Sequence, residues 1–178
     1  MFGWASHCVE HGAPWRIKGF LDDRRDVLKD YAYPVGVIGS AATYEPQADD
    51  VFALAMGDSA AKKKYSAPII EKGGAFVNVI HPTACVSLNV TMGRGVIMAP
   101  FTCVSCDVTL GDFVTLNISS SVGHDAKLGD FCQISCHCDI TGNVALEEGV
   151  FVGSHASILP GVRVGAWAFV GAGALVLR

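Results

Sequence analysis

One aliphatic phase runs unbroken through the second half of this chain. Stepping by six from Ile80 gives Val86, Met92, Met98, Val104, Leu110, Leu116 and so on to Val176, and every residue in the series is aliphatic or Met. Four places after each anchor stands a small or β-branched residue, among them Ala84, Val114, Ala126, Cys132, Cys138 and Ala156. A period of six matches neither the 3.6 of a helix nor the alternation of a flat strand, but it fits short strands separated by sharp corners. Three such strands close a triangular coil of eighteen residues, and about five coils are expected between Ile80 and the last residue. The anchors then fill the prism, and stacked coils pair strand on strand at about 4.8 Å. Gly often follows the anchor, as at Gly93, Gly111, Gly123, Gly129 and Gly153. These glycines are expected to relieve corners where φ is positive.

Composition agrees with a large buried fraction: 51% of the residues are apolar and 17% charged, which calls for an extended core or subunit contacts. The net charge of -4 comes without a Lys/Arg stripe, so nucleic acid is not an expected partner. The one basic run, Lys62 to Lys64, reads as a solvated helix face. No stretch of eighteen apolar residues and no secretory layout occur, so a cytoplasmic chain without a membrane span is expected. Seven cysteines scattered through aliphatic sequence suit reduced thiols better than a disulfide framework. The repeat puts Cys132 and Cys138 in the core, which argues against a zinc site.

Residues 1–79 read as a small α/β domain and 80–178 as the β-helix. Trp15 to Leu21, Val51 to Met56 and Ala75 to Ile80 are apolar runs suited to buried parallel strands, and Ser59 to Lys72 reads as a helix. Asp22, Asp23, Gly57 and Asp58 fall at the carboxyl ends of two of these strands, where open α/β sheets bind ligands. The alternative is structural: Asp22 and Asp23 open a turn, and Asp58 or Ser59 caps the helix. Phe2 to Gly12 reads as a helix with no preceding strand, and no capping segment follows the last coil, so a chain truncated at both ends is expected.

The repeats VGHDAK, LGDFCQ, VGSHAS and VGAWAF resemble the hexapeptide-repeat family, whose β-helices are left-handed. Together with GFLDD, AMGD, VNVIHPTA, LNISSSVGHD, TGNV and ILPGV, they resemble its NeuD and PglD-like branch of sugar acetyltransferases. That resemblance implies a Rossmann-like first domain, here without its first strand and Gly-rich turn, joined to a left-handed parallel β-helix. It implies a homotrimer with sites between subunits, acetyl-CoA as cosubstrate, and a nucleotide-linked amino sugar or sialic acid as acceptor, acetylated on nitrogen or oxygen. His124 corresponds to the family's general base and Asp125 to its acidic neighbour. Asn117 corresponds to a position near the acceptor, while Gly142, Ser154 and Ala172 correspond to backbone contacts of the pantetheine arm. Gln133 stands where some relatives carry a histidine that contacts the cofactor. An imidazole titrates near neutrality and an adjacent carboxylate orients it, which suits attack on a thioester.

Two rival readings are open. The β-helix is then either a non-catalytic trimeric scaffold or binding protein, or a metal-dependent enzyme like the γ-carbonic anhydrases. His137 and His155 are eighteen apart and should stack on neighbouring coils, but the H-x4-H spacing of those metal enzymes is absent, so no metal is expected. A structural or solvated role is expected for His7, His11 and His81.

Overall fold

The computed structural model describes residues 1–178. Two-residue strands recur every six positions from Val79–Ile80 to Leu175–Val176 and assemble into three parallel sheets of six, six and five strands. The first face starts at Val79–Ile80, the second at Cys85–Val86 and the third at Thr91–Met92. Each strand pairs with the one eighteen residues on, as Thr115 with Gln133 and Leu116 with Ile134. Leu116, Ile134, Ile140 and Val152 are wholly buried in one continuous core with Ala126, Cys132 and Cys138. The anchors at the open first coil are less covered, Ile80 at 36% and Val86 at 39% exposure.

The corners correct the expectation for glycine. The left-handed residue is the third after each anchor, not the first, and it is seldom Gly: Phe101, Asp107, Phe113, Ser119, Asp125, Phe131 and His137 all have φ between 57° and 61°. Gly93, Gly111, Gly123, Gly129 and Gly153 are not in this conformation. They serve close approach: a Cβ on Gly123 would lie 2.5 Å from the Gly142 nitrogen, and one on Gly153 2.6 Å from the Ala172 nitrogen. On the last coil, Gly165 and Gly171 face open space instead.

Residues before the β-helix form α1 (Phe2–Glu10), β1 (Phe20–Leu21), β2 (Val37–Gly39), β3 (Val51–Phe52), α2 (Ser59–Glu71) and β4 (Ala75–Phe76). β1 pairs with β2 and β3 with β4, both in parallel, giving two separate sheets. The expected apolar runs are strands over only two residues each, because no strand lies between β1 and β3 to extend their ladders. Their facing edges bound a groove of about 1670 Å³.

Several contacts fasten this part to the β-helix, among them the Lys63–Glu148 ion pair at 2.7 Å and the Phe76–Phe113 ring contact, and two others are buried. α1 lies on the first face, where Cys8 packs with Val79 and Ile97. There His7 Nδ1 and the buried His81 Nε2 are 2.8 Å apart. The Thr83 amide donates to His81 Nδ1 at 3.2 Å, which leaves Nε2 as the donor toward His7. From α2, Lys62 reaches the corner between the third and first faces and donates to the carbonyls of Phe113 and Cys132, both at 3.1 Å. Lys62 is therefore buried at 0% exposure and not solvated as its basic run suggests. Its two neighbours stay outside.

Burial pushes the Lys62 ammonium down from its ordinary 10.5 to about 7. Between those values the unfolded chain holds a proton that the folded chain lacks, so this group's contribution to stability rises with pH, by up to about 1.4 kcal/mol per pH unit. The unfolding free energy of wild type relative to Lys62→Met is expected to rise from pH 7 to pH 10 in urea titrations. A difference that stays flat over that range would contradict this account of Lys62.

Candidate active site

His124 and Asp125 occupy the corner between the second and third faces, flanked by the buried Val122 and Ala126. The left-handed position on this corner is filled in successive coils by Asp107, Asp125, Asn143 and Gly161, the residue types that tolerate it best. That backbone turns the Asp125 carboxylate back on its neighbour, and His124 Nδ1 lies 2.8 Å from Asp125 Oδ2. The carboxylate accepts from Nδ1–H and leaves Nε2 free to take a proton. Both side chains are more than half exposed, 58% and 56%, so the pair orients the ring and adds little to stability.

Gly142, one coil on, forms the wall against which the imidazole rests. A Cβ there would fall 2.7 Å from His124 Nε2 and 2.9 Å from Cε1, so only glycine leaves the ring its place.

Asn117 lies on a different corner, between the first and second faces, where its Nδ2 donates to the Ile134 carbonyl at 3.2 Å. The corner residues Ser154 and Ala172 belong to this edge too, and Gly173 N donates to Ser154 O at 2.8 Å between their coils. His137 and His155 stack there with ring centroids 4.9 Å apart. Within one chain the whole second face separates Asn117, Ser154 and Ala172 from His124 and Gly142.

Gln133 lies beneath α1, with Asn117 and Gly57, in a cavity of about 170 Å³. Asp58 is elsewhere, capping α2 by accepting from Ala61 N at 2.6 Å. Asp22 and Asp23 line the large groove between β1 and β3. Asp22 accepts from Arg24 Nε at 3.1 Å and from its backbone amide at 2.9 Å, and the guanidinium holds its carboxyl below the usual range. Asp23 accepts from Tyr65 at 3.2 Å. The structural roles foreseen for Asp22 and Asp58, a turn and a cap, are therefore present.

Sequence reasoning missed the contact of Gly142 with the imidazole, although the eighteen-residue spacing from His124 signals it, and missed Thr115 beside Gln133. The seven cysteines are all free, and no cluster of three or more His, Cys, Asp or Glu is arranged to hold a metal ion. No helix is long and apolar enough to cross a membrane.

No protein-family profile matches the chain, and no curated protein sequence does. Solved structures do. PerB from Caulobacter crescentus, in complex with CoA and GDP-perosamine, superposes with a TM-score of 0.82 at 31% identity over 90% of this chain and 76% of that one. A histidine-to-asparagine variant of perosamine N-acetyltransferase from Caulobacter crescentus, also with CoA and GDP-perosamine, gives 0.77 at 32% identity over 81% and 70%. The acetyltransferase domain of PglB from Neisseria gonorrhoeae FA1090 gives 0.87 at 25% identity over 98% and 84%. With this agreement in sequence and in the three-sided coil, the chain belongs to the hexapeptide-repeat acyltransferases, in their left-handed β-helix branch of sugar acetyltransferases.

Proposed function

We propose that this protein transfers the acetyl group of acetyl-CoA to the amine of a nucleotide-linked amino sugar, with His124 as general base. The observation that carries the reading is the imidazole, on a side chain 58% exposed, held between the Asp125 carboxylate at 2.8 Å and the bare Cα of Gly142, with Nε2 unpaired. The Caulobacter relatives bind CoA and GDP-perosamine together, which supports both substrate classes. The amine nitrogen attacks the thioester carbonyl carbon and its proton passes to Nε2. The C–S bond then breaks, and the departing thiolate takes that proton from the imidazolium, leaving the amide and free CoA thiol.

Asn117, Ser154 and Ala172 share one edge and His124 with Gly142 another, so a site using all of them needs a second copy of the chain. A homotrimer, with each site between an Asn117 edge and a neighbour's His124 edge, meets that requirement. The pantetheine arm runs along the backbone of Gly142, Ser154 and Ala172. Asp22 and Asp23, at the larger groove, face the distal part of the acceptor. Gln133 lies with Asn117 and Gly57 on the acceptor side, whereas the Asp58 carboxylate is committed to its helix. Seven free thiols suit a reducing, cytoplasmic setting. Light scattering at micromolar concentration is expected to give three times the 18.7 kDa chain mass; a monomer would dissolve the shared site.

The test of the substrate class is release of CoA thiol from acetyl-CoA with a panel of acceptors. GDP-perosamine, other nucleotide-linked amino sugars, their hydroxyl counterparts and sialic acid are compared. Turnover confined to the amino sugars is expected. Turnover with sialic acid or the hydroxyl counterparts alone would replace the proposed acceptor.

A further inference from the structure

The outward column on the first face runs Val79, Ile97, Thr115, Gln133, Phe151 and Phe169, one residue per coil. It is apolar except at two adjacent places. Thr115 and Gln133 are 5% and 3% exposed, yet Thr115 Oγ1 and Gln133 Oε1 have no hydrogen-bond partner. Both residues line the cavity of about 170 Å³ under α1, where Trp4, Met56 and Ile97 supply the apolar wall. Buried polar atoms without partners destabilise a fold, and apolar residues of the same shape would pack this contact better. Two neighbouring exceptions on one column, both lining one cavity, leave two acceptors that a bound group carrying hydrogen-bond donors fits.

We infer that Thr115 and Gln133 are specificity-determining residues that read a neutral, hydrogen-bond-donating edge of the acceptor sugar inside this cavity. The inference rests on the acetyltransferase reading above. Size restricts the occupant: a cavity of about 170 Å³ is below the range of pockets that enclose whole ligands and takes one substituted edge of a sugar ring but not a nucleotide. Charge restricts it too: no acidic or basic side chain lines the cavity, and burial lowers the pKa of the Met1 ammonium, the one ionisable group among its residues, towards the neutral form. Hydroxyl or amide N–H groups donate to Gln133 Oε1 and Thr115 Oγ1, while the ring's C–H surface meets Trp4 and Met56. The Asn117 carboxamide at the mouth connects this pocket to the edge where the reacting amine is expected.

The test compares wild type with Thr115→Val, Gln133→Met and the double variant, each apolar change keeping the side chain's size. The acceptor is whichever amino sugar the wild type acetylates, GDP-perosamine being the first probe. The acceptor KM is expected to rise by about tenfold or more in the double variant. The KM for acetyl-CoA should stay within about twofold, and Tm should hold or rise, since orphaned polar atoms have been removed. A lower Tm with unchanged acceptor KM would make the pair structural and overturn the inference. A rise in the acetyl-CoA KM alone would assign Gln133 to the cofactor and overturn it too, as would no change in any of the three. If wild type acetylates no amino sugar, the acetyltransferase reading itself falls and takes this assignment with it. Turnover with unmoved acceptor KM removes only the assignment.

Discussion

His124→Ala is expected to lower turnover by roughly 10²- to 10⁴-fold, the range usual for loss of a general base, while Tm and acetyl-CoA affinity stay near wild type. The fold should tolerate the change because His124 is 58% exposed and its side chain bonds only to Asp125. The core residues on either side, Val122 and Ala126, are untouched. Asp125 needs more care, since its φ of 59° puts any replacement in the left-handed region. Asn tolerates that conformation well, so Asp125→Asn isolates the carboxylate from the backbone and should cost less than His124→Ala. His137 and His155 stack on each other and take no part in the general-base step, so His137→Ala and His155→Ala should leave the chemical step nearly unaffected, whereas an account that used them as metal ligands would lose it. Full activity in His124→Ala at saturating substrates would end the general-base account.

Gly142→Ala should damage catalysis from outside the histidine. The position is not left-handed, so the backbone accepts Ala, but the new Cβ would lie 2.7 Å from Nε2 and 3.1 Å from Cδ2. Real contacts do not come that close, so the ring must swing away and stretch its 2.8 Å bond to Asp125. A displacement near 1 Å at a reacting group costs on the order of 10²-fold, so kcat is expected to fall by about 10- to 100-fold with Tm little changed. Gly123→Ala is the contrasting control. Its Cβ would meet the backbone of the next coil, 2.5 Å from Gly142 N and 2.6 Å from Thr141 C, and backbone cannot rotate aside. That variant should lose stability. Wild-type kcat in Gly142→Ala would show that the imidazole does not work from the place against Gly142.

The β-helix was legible because each coil touches only its neighbours, so the requirement for a buried anchor repeats in the sequence at every sixth residue. Two of the three corners were not legible from residue type. Phe113 and Phe131 take a conformation that local preference disfavours because they stack at 5.2 Å and Phe113 meets Phe76 edge-on at 4.9 Å. The short strands before the β-helix left little pattern, and Val37–Gly39, within a stretch of Tyr, Pro and Gly, left none. Lys62 reads as one of three equivalent lysines until α2 docks and turns it onto two carbonyls. At the site, the GHD motif made His124 and Asp125 legible by resemblance, and the eighteen-residue arithmetic applied to Ser154 and Ala172 holds equally for His124 and Gly142. Thr115 carried no signal of its own, because its importance depends on α1 closing a cavity over it.

The most direct measurement is mass spectrometry of the sugar after incubation of wild-type protein with acetyl-CoA and a nucleotide-linked amino sugar, with CoA thiol titrated in the same samples. One acetylated amine is expected for each thiol released, and His124→Ala under the same conditions should leave the sugar largely unmodified. Thiol release without acetylated sugar, or none with any amino sugar, would contradict the account.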